Sequence, residues 1–557
     1  MNDNPLSTIK VTFSDNTTAD VPEGITLFEL SKDYEEKFCS KIVAAKVNND
    51  IRELSYKLDE NCFVEFIDYT YDDGMRIFRR SMQFLLVKAV YDLFPKRKLV
   101  ILHSIGNGLY CELKGGTDVT PEEVQLIQNR MKEIVAQKIP FIKKMMPIED
   151  AREMFIKNGQ LDKFKVFEHR KKPYVTVYSC GDLLNYFYGY MVPDTGYLET
   201  FELMYYQKGL LLRFPERKNP YELPPLQDYN KLFNVFNEHR SWVKILETED
   251  VGTLNEHVKL GNIGDIIRIS EALHEKKIAQ IADYVSSDEN RKKLLLISGP
   301  SSSGKTTFAK RLEVQLRVNG VKPVTISLDD YFLNRDSTPR DENGEYDFES
   351  LDAIDVDLFN KHLAQLIAGE EIEVPKYNFH TGYREENGTK LKLADNSIML
   401  VEGIHGLNEK LSTAVPKEFK YKIYLSAITS VNIDDHNRIP STDIRFLRRI
   451  VRDVQFRGFS PVSTIQRWPS VRRGEQKNIF PFQEEADIMF NSSLVYELGV
   501  LKTYAEYYLK LIDKSKCEYS EAKRLIEFLS YFLPIGADEI PNNSILREFI
   551  GSSCFIY

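Results

Sequence analysis

Apolar and polar positions change period several times along the chain, and each change marks an element. Ile9, Val11 and Phe13 alternate with polar neighbours, the chain turns at Asp15 and Asn16, and Ala19 and Val21 resume the alternation. Period two of this kind predicts a half-buried hairpin. Thr26 and Glu29 form a capping box that opens a short helix. Residues 42–47 and 63–67 add strands, so the first 70 residues read in ββαββ order. Further on, Asn219-Pro220 and Pro224-Pro225 break the chain. Helical periodicity follows from Ile266 through Ile281. Residues 294–297 are a continuous apolar run, the pattern of a strand buried on both faces. Phe308, Leu312 and Leu316 then fall four apart on one helix face, and Asn319-Gly320 stops the helix. Residues 324–328 and 397–401 read as further strands. This βα alternation predicts an open parallel sheet. Beyond residue 500 the pattern is helical, with Tyr504, Leu509 and Leu511 apolar, and loops fall at Pro534 and Pro541.

A chain of 557 residues is too long for one core. The expected division is residues 1–70, 71–215, a helical connector 216–285, an α/β unit 286–515 and a helical extension 516–557. The fold class is therefore multidomain, α/β joined to α+β. Net charge is −9, which argues against nonspecific nucleic-acid binding by the whole molecule and gives RNA contact through the front region no support. Six cysteines are scattered without a Cys-x-x-Cys pair, which suits a reducing compartment and offers no zinc framework. The opening MNDNPLSTIK lacks the basic and apolar regions of a secretion signal. No apolar run approaches the roughly 18 residues that span a bilayer. The expectation is a cytoplasmic protein without membrane contact, its oligomeric state open.

Chemistry concentrates at residues 299–307. Gly299, Pro300, Ser301, Ser302, Ser303, Gly304, Lys305 and Thr306 fit G-x-x-x-x-G-K-[ST], and Thr307 follows. Glycines let the backbone curl so that N–H groups converge on phosphate, and the next helix turns its positive end to the same anion. Strand, loop and helix are in register here. The motif therefore predicts a nucleoside triphosphate as ligand, with Lys305 reaching the β- and γ-phosphates and the Thr306 hydroxyl on Mg²⁺.

The reaction depends on what stands around that loop. Asp329 follows a strand, where an acid faces the crevice of an open sheet. It is the candidate base for an acceptor hydroxyl, although an Asp-Asp pair also starts loops. Glu402 ends the 397–401 strand and is the candidate second carboxylate near Mg²⁺. Arg445, Arg448, Arg449 and Arg452 share one helix face, with Arg457 beyond them. Such a stripe either meets an anion as a phosphate-closing lid or is a solvated face paired with nearby acids. Tyr346, Phe348, Tyr377 and Phe379 alternate with other residues in a way that suits ring stacking or, more simply, the core of a strand.

GPSSSGKTT, LDDYF, YDFESLDAID, VPKYNFHTGYR, VEGI and DIRFLRRIVRDVQFRG occur in that order. Together they resemble the uridine kinase and phosphoribulokinase family of P-loop kinases over roughly residues 294–458. The resemblance implies transfer of the ATP γ-phosphoryl to a nucleoside 5′-hydroxyl with Mg²⁺; uridine or cytidine is the leading acceptor, with a purine nucleoside, a sugar phosphate, or an RNA- or ribosome-associated nucleotide switch as alternatives. It puts Asp329 on the catalytic Asp and Glu402 on the Walker-B-like acid. Tyr377 and Phe379 fall on residues packed around the base. Arg449, Arg452 and Arg457 fall on lid or substrate-contacting positions, and Arg384, which ends VPKYNFHTGYR, and Arg448 are counted with them as candidate substrate or lid residues. Glu349 replaces the Asp that grips the ribose. Gly382 replaces the His that reads the pyrimidine edge, with His380 two residues earlier. Phe459 and Arg467 stand where an Arg and a Gln are usual. The phosphoryl-transfer set is thus retained and the base-reading set altered.

The front resembles a different family. PEGITLFEL and VAAKVNNDIREL look like a TGS domain, a ubiquitin-like β-grasp module such as opens threonyl-tRNA synthetases. RIFRRSMQFLLVKAVYDLFP, HSIGNGLYCEL and YFYGYMVPDTGYLETFEL look like the second additional domain of those enzymes. At that domain's four editing positions this chain carries Arg80, Phe84, Phe187 and Met191. Phe and Met rebuild neither a metal site nor a proton shuttle, so the domain is expected to be dead for editing. His103, alone nearby, is expected to be structural.

Overall fold

The hairpin at the start of the chain is one edge of a five-stranded sheet. Its order is Thr18–Pro22, Thr8–Phe13, Cys62–Ile67, Ala44–Val47 and Asp50–Glu53. Thr8–Phe13 and Cys62–Ile67 run parallel, and the other neighbours antiparallel. The computed structural model describes residues 7–340, 344, 346–378, 381–429 and 431–557. Ile9, Val11 and Phe13 face inward onto Leu27 and Leu30 of the short helix Leu27–Ser31. The capping box forms as read: Thr26 Oγ1 accepts from Glu29 N at 3.1 Å, and the Glu29 carboxylate accepts from Thr26 N at 2.9 Å.

The long helix Asp72–Leu93 follows. Behind it lie a four-stranded antiparallel sheet and a three-stranded sheet containing Phe141–Pro147, Tyr174–Cys180 and Leu183–Asn185. Phe84, Phe187 and Met191 are buried in one apolar cluster, with Arg80 beside it. Phe84 stacks on Phe187 with centroids 4.9 Å apart and packs on Phe141 at 5.5 Å. Met191 is buried against Ser81, and Arg80 donates to the Tyr190 carbonyl at 2.8 Å. His103 is buried and stacked 3.7 Å from Phe236, as a structural histidine would be.

Helices Asn230–Ile245, Val251–Leu260 and Ile263–Ser286 lead to a second five-stranded sheet, parallel throughout. Its order is Lys322–Ser327, Ser397–Glu402, Leu294–Ser298, Lys420–Ser426 and Ile488–Asn491. Leu294–Ser298 lies in the middle and is buried on both faces, which explains its unbroken apolar run. Phe308, Leu312 and Leu316 of helix Lys305–Val318 pack beneath it. The same apolar cluster takes in Phe155 of the front region, Ile278 of the connector, and Leu525, Phe528 and Phe549 near the other end. Among the described residues, no helix is long and apolar enough to cross a membrane, and the six cysteines are all free thiols.

Front and rear regions are also joined by buried charge. Lys163, fully buried, pairs with the equally buried Asp434 at 3.2 Å and lies 3.1 Å from His436 Nδ1. Ile101 N donates to the Asp435 carbonyl, and Asn432 Nδ2 donates to the Ile101 carbonyl, both at 2.8 Å. His436 stacks on Phe187, centroids 5.9 Å apart. The 432–437 segment therefore packs on Phe187 of that cluster. Removing one partner of a buried pair leaves the other charge without compensation. Lys163→Met is accordingly expected to lower stability by about 3 kcal/mol; urea unfolding measures it, and an unchanged midpoint would contradict the clamp.

Candidate active site

The strand Leu294–Ser298 runs into a loop that requires glycine at its first turn. A Cβ on Gly299 would lie 2.0 Å from the Leu425 carbonyl oxygen. Ser302 and Gly304 take φ of 59° and 87°, and these reversals turn successive N–H groups toward one point. Helix Lys305–Val318 starts there, its axis adding partial positive charge. Lys305 Nζ donates to the Gly299 and Pro300 carbonyls at 2.9 and 3.4 Å. Burial holds its pKa below the usual lysine value, against the pull of Glu402, Glu548 and Asp329.

The arginine stripe lies on helix Ser441–Phe456. Arg449 donates to Ser301 Oγ at 2.9 Å, and Arg452 to Ser302 Oγ at 3.2 Å. Arg445 donates to the Ser301 carbonyl at 3.1 Å while paired with Glu475. Arg448 differs from the lid reading. It is fully buried beneath the loop, bonded to Glu497 at 2.7 Å and to the Ser492 carbonyl at 2.8 Å. A guanidinium with these partners props the loop and cannot swing onto substrate. Arg457, half exposed, pairs with Asp453 at 3.6 Å and lies close enough to Asp329 to pull its pKa down.

Glu475 did not stand out from the sequence. It is buried and accepts from Arg445, from Arg472 at 2.8 Å and from the Ser301 N–H at 3.1 Å. Burial pushes its carboxyl up, and Arg445 and Arg472 more than offset this, so it stays below the ordinary value. A carboxylate thus grips the loop's own backbone. The available signal was the uncompensated arginine stripe, which requires acids from elsewhere.

The predicted acids converge on Lys305. Thr306 Oγ1 donates to Glu402 Oε1 at 2.8 Å. Burial raises the Glu402 carboxyl, with Lys305 and Thr306 pulling the other way. Asp329 sits on the turn Leu328–Tyr331, its N–H donating to Ser327 Oγ at 3.2 Å. Its carboxylate is open to solvent at the cleft mouth but has protein on most sides. That enclosure raises its pKa, with Lys305 the main opposing charge. A curled nest, a lysine, and a hydroxyl beside a carboxylate suit a triphosphate with a hard, oxygen-preferring cation. Thr306 and Glu402 would hold Mg²⁺, which would neutralise phosphate charge.

The acceptor side is less complete. Glu349 packs on Gly474, whose added Cβ would lie 2.7 Å from Glu349 Cβ. Burial pushes its carboxyl up to about 7, helped by Glu475 and opposed by Arg449 and Lys305. Arg384 is committed to structure: it donates to the Phe332 and Tyr331 carbonyls, both at 3.0 Å, and pairs with Asp355 at 3.1 Å. It braces the turn carrying Asp329. Tyr377 is buried 5.5 Å from Phe332, the core alternative of its spacing. Phe379 and His380 lie outside the described residues. At Gly382 an added Cβ would meet the Arg335 guanidinium at 2.6 Å; Arg335 was not singled out in the sequence.

Residues 294–497 match the model of the phosphoribulokinase/uridine kinase family. The N-terminal region is homologous to threonine–tRNA ligases. The Desulforamulus reducens enzyme is 29% identical over 197 residues, covering 35% of this chain and 31% of that protein. The Fusobacterium nucleatum enzyme is 34% identical over 180 residues, covering 32% and 29%. The chain thus spans about a third of the length of these relatives. Among solved structures, one described as a possible uridine kinase from Bacillus stearothermophilus is 19% identical over 39% of this chain and 98% of that one, with a TM-score of 0.27. A D-glycerate 3-kinase from Cryptococcus neoformans is 14% identical over 47% and 89%, with a TM-score of 0.20. The chain therefore matches the phosphoribulokinase/uridine kinase model over residues 294–497 and is similar to threonine–tRNA ligases at its front. Glu402→Gln is expected to raise the Mg²⁺ concentration giving half-maximal turnover by about tenfold, the loss of one charged ligand; titrating Mg²⁺ at fixed ATP measures it.

Proposed function

We propose that this chain is an ATP-dependent kinase of a small alcohol, with a nucleoside 5′-hydroxyl, that of uridine or cytidine, as its acceptor. The observation that carries the reading is the convergence of Lys305, Thr306, Glu402 and Asp329 at one phosphate nest. Phosphoryl transfer is mostly positioning and charge stabilisation. The nest and Lys305 would hold the β- and γ-phosphates, and Arg449 and Arg452 border them. The acceptor oxygen forms a bond to the γ-phosphorus as the bond to the β–γ bridging oxygen breaks. The hydroxyl proton passes to Asp329, and ADP leaves.

A second reading keeps this chemistry and changes the acceptor to a sugar phosphate. The Arg335 guanidinium covers the position where a base-reading histidine belongs, and a guanidinium suits an anionic group better than a neutral base. A panel of nucleosides and sugar phosphates, followed by ADP release, separates the two. Asp329→Asn in the same assay is expected to lower turnover by about 10²- to 10⁴-fold while ATP affinity holds. Full turnover would remove Asp329 as base. No acceptor-stimulated ADP release from the unaltered chain would end the kinase reading.

Glu349 adds a pH dependence. A carboxyl raised to about 7 is protonated below that pH and anionic above it. The anion accepts from two acceptor hydroxyls, whereas the acid form spends one oxygen as a donor. Acceptor kcat/KM should therefore climb as pH rises through about 7, and Glu349→Gln should flatten the profile.

A further inference from the structure

The phosphate loop already holds an anion from its own chain. Glu548 Oε2 accepts from the Thr307 hydroxyl at 2.8 Å and from the Thr307 N–H at 3.3 Å. Its Oε1 accepts from Arg452 at 3.2 Å. Thr307 is the third residue of helix Lys305–Val318, and the first backbone bond of that helix is made by Phe308 N. The Thr307 N–H therefore belongs to the set that a helix start presents to a bound anion. Arg452 is the arginine that also reaches Ser302. One carboxylate thus occupies two cationic or donor groups that a phosphate would use, and Thr307 is left with no exposed surface.

The way this carboxylate is mounted matters. It sits on the turn Arg547–Ile550, and Phe549 beside it is buried under the Arg448 and Arg452 guanidiniums at 5.0 and 5.6 Å. Ile545 closes on the loop from the same side, against Gly304. Then the chain reverses through Gly551 and Ser552, at φ of 88° and 58°. Residues 551–557 lie at the surface, held by Cys554 N donating to the Asn542 carbonyl at 2.9 Å and by Tyr557 meeting Thr307 Oγ1 at 2.8 Å. Tyr557 is itself 55% exposed. The anchor is deep, but the strap across Thr307 is light.

We propose that residues 548–557 are a built-in gate on the nucleotide site, in which Glu548 stands in for phosphate on Thr307 and Arg452 and yields when a triphosphate enters. This rests on reading the loop as an ATP site. ATP must displace a like-charged group from shared donors, so its apparent affinity falls by the fraction of molecules held closed. Glu548→Gln keeps the shape and removes the competing charge.

Two measurements on the full chain test the gate, neither needing an acceptor. Calorimetric titration should show ATP binding Glu548→Gln on the order of tenfold more tightly than the unaltered chain, the worth of one charge-assisted contact. Hydrogen exchange on the unaltered chain should become faster in residues 551–557 when ATP is added. Equal or weaker binding by Glu548→Gln overturns the proposal, as does slower or unchanged exchange of that segment with ATP bound. The exchange measurement decides even if the variant folds poorly. ATP binding to neither protein would instead remove the nucleotide site itself, and the gate with it.

Discussion

Four guanidiniums on one helix face cannot be buried beside a phosphate nest without compensation, and that constraint organises the rear of the molecule. Three of the four meet a carboxylate from another element. Arg445 meets Glu475 of helix Pro461–Asn478, Arg448 meets Glu497 of helix Glu497–Lys510, and Arg452 meets Glu548 of the turn Arg547–Ile550. Arg449 uses Asp453 on its own helix. Charge pairing thus determines where these helices stand around the loop. The desolvation cost of such pairs is high, and what they return is a defined geometry as much as stability. A loop whose task is to hold phosphates within a fraction of an ångström needs that definition.

The same logic extends to the front. Arg524 pairs with Asp443 at the start of the arginine helix and with Glu521, and Glu521 pairs with Arg76 on helix Asp72–Leu93. Acids and bases therefore alternate from the start of the arginine helix to helix Asp72–Leu93. The 432–437 segment, just before the arginine helix, is gripped in parallel by Lys163 and Ile101. In the synthetase-like region Phe84, Phe187 and Met191 are buried together, and Phe187 offers His436 a flat surface to stack on.

How much of this was legible depends on distance along the chain. Local signals read well: the capping box at Thr26, the hairpin at Ile9, the glycine loop, and strand ends carrying Asp329 and Glu402. Each depends on residues a few positions apart or on a strand meeting a loop. Periodicity also placed four arginines on one face, but it could not say what that face meets. The partners lie 30, 49 and 96 residues away, and no spacing rule reaches that far. So Arg448 and Arg384 read as substrate contacts when packing had already used their donors. Glu475, Arg335 and Glu548 went unread for the converse reason, since a single acid or base in a loop or helix carries no periodic mark.

The division between legible and hidden residues follows chemistry. Groups that act on phosphate sit at strand ends and in glycine loops because backbone geometry delivers them there, so a short motif encodes them. Groups that decide which acceptor fits, and whether the loop is free to receive a nucleotide, act through side chains brought together by packing. Arg335 beside Gly382 and Glu548 on Thr307 are side chains brought together in that way. Specificity follows the groups left unsatisfied when the wrong partner binds, and which groups those are emerges only once the chain has folded. A family motif therefore reports the reaction class more reliably than the substrate.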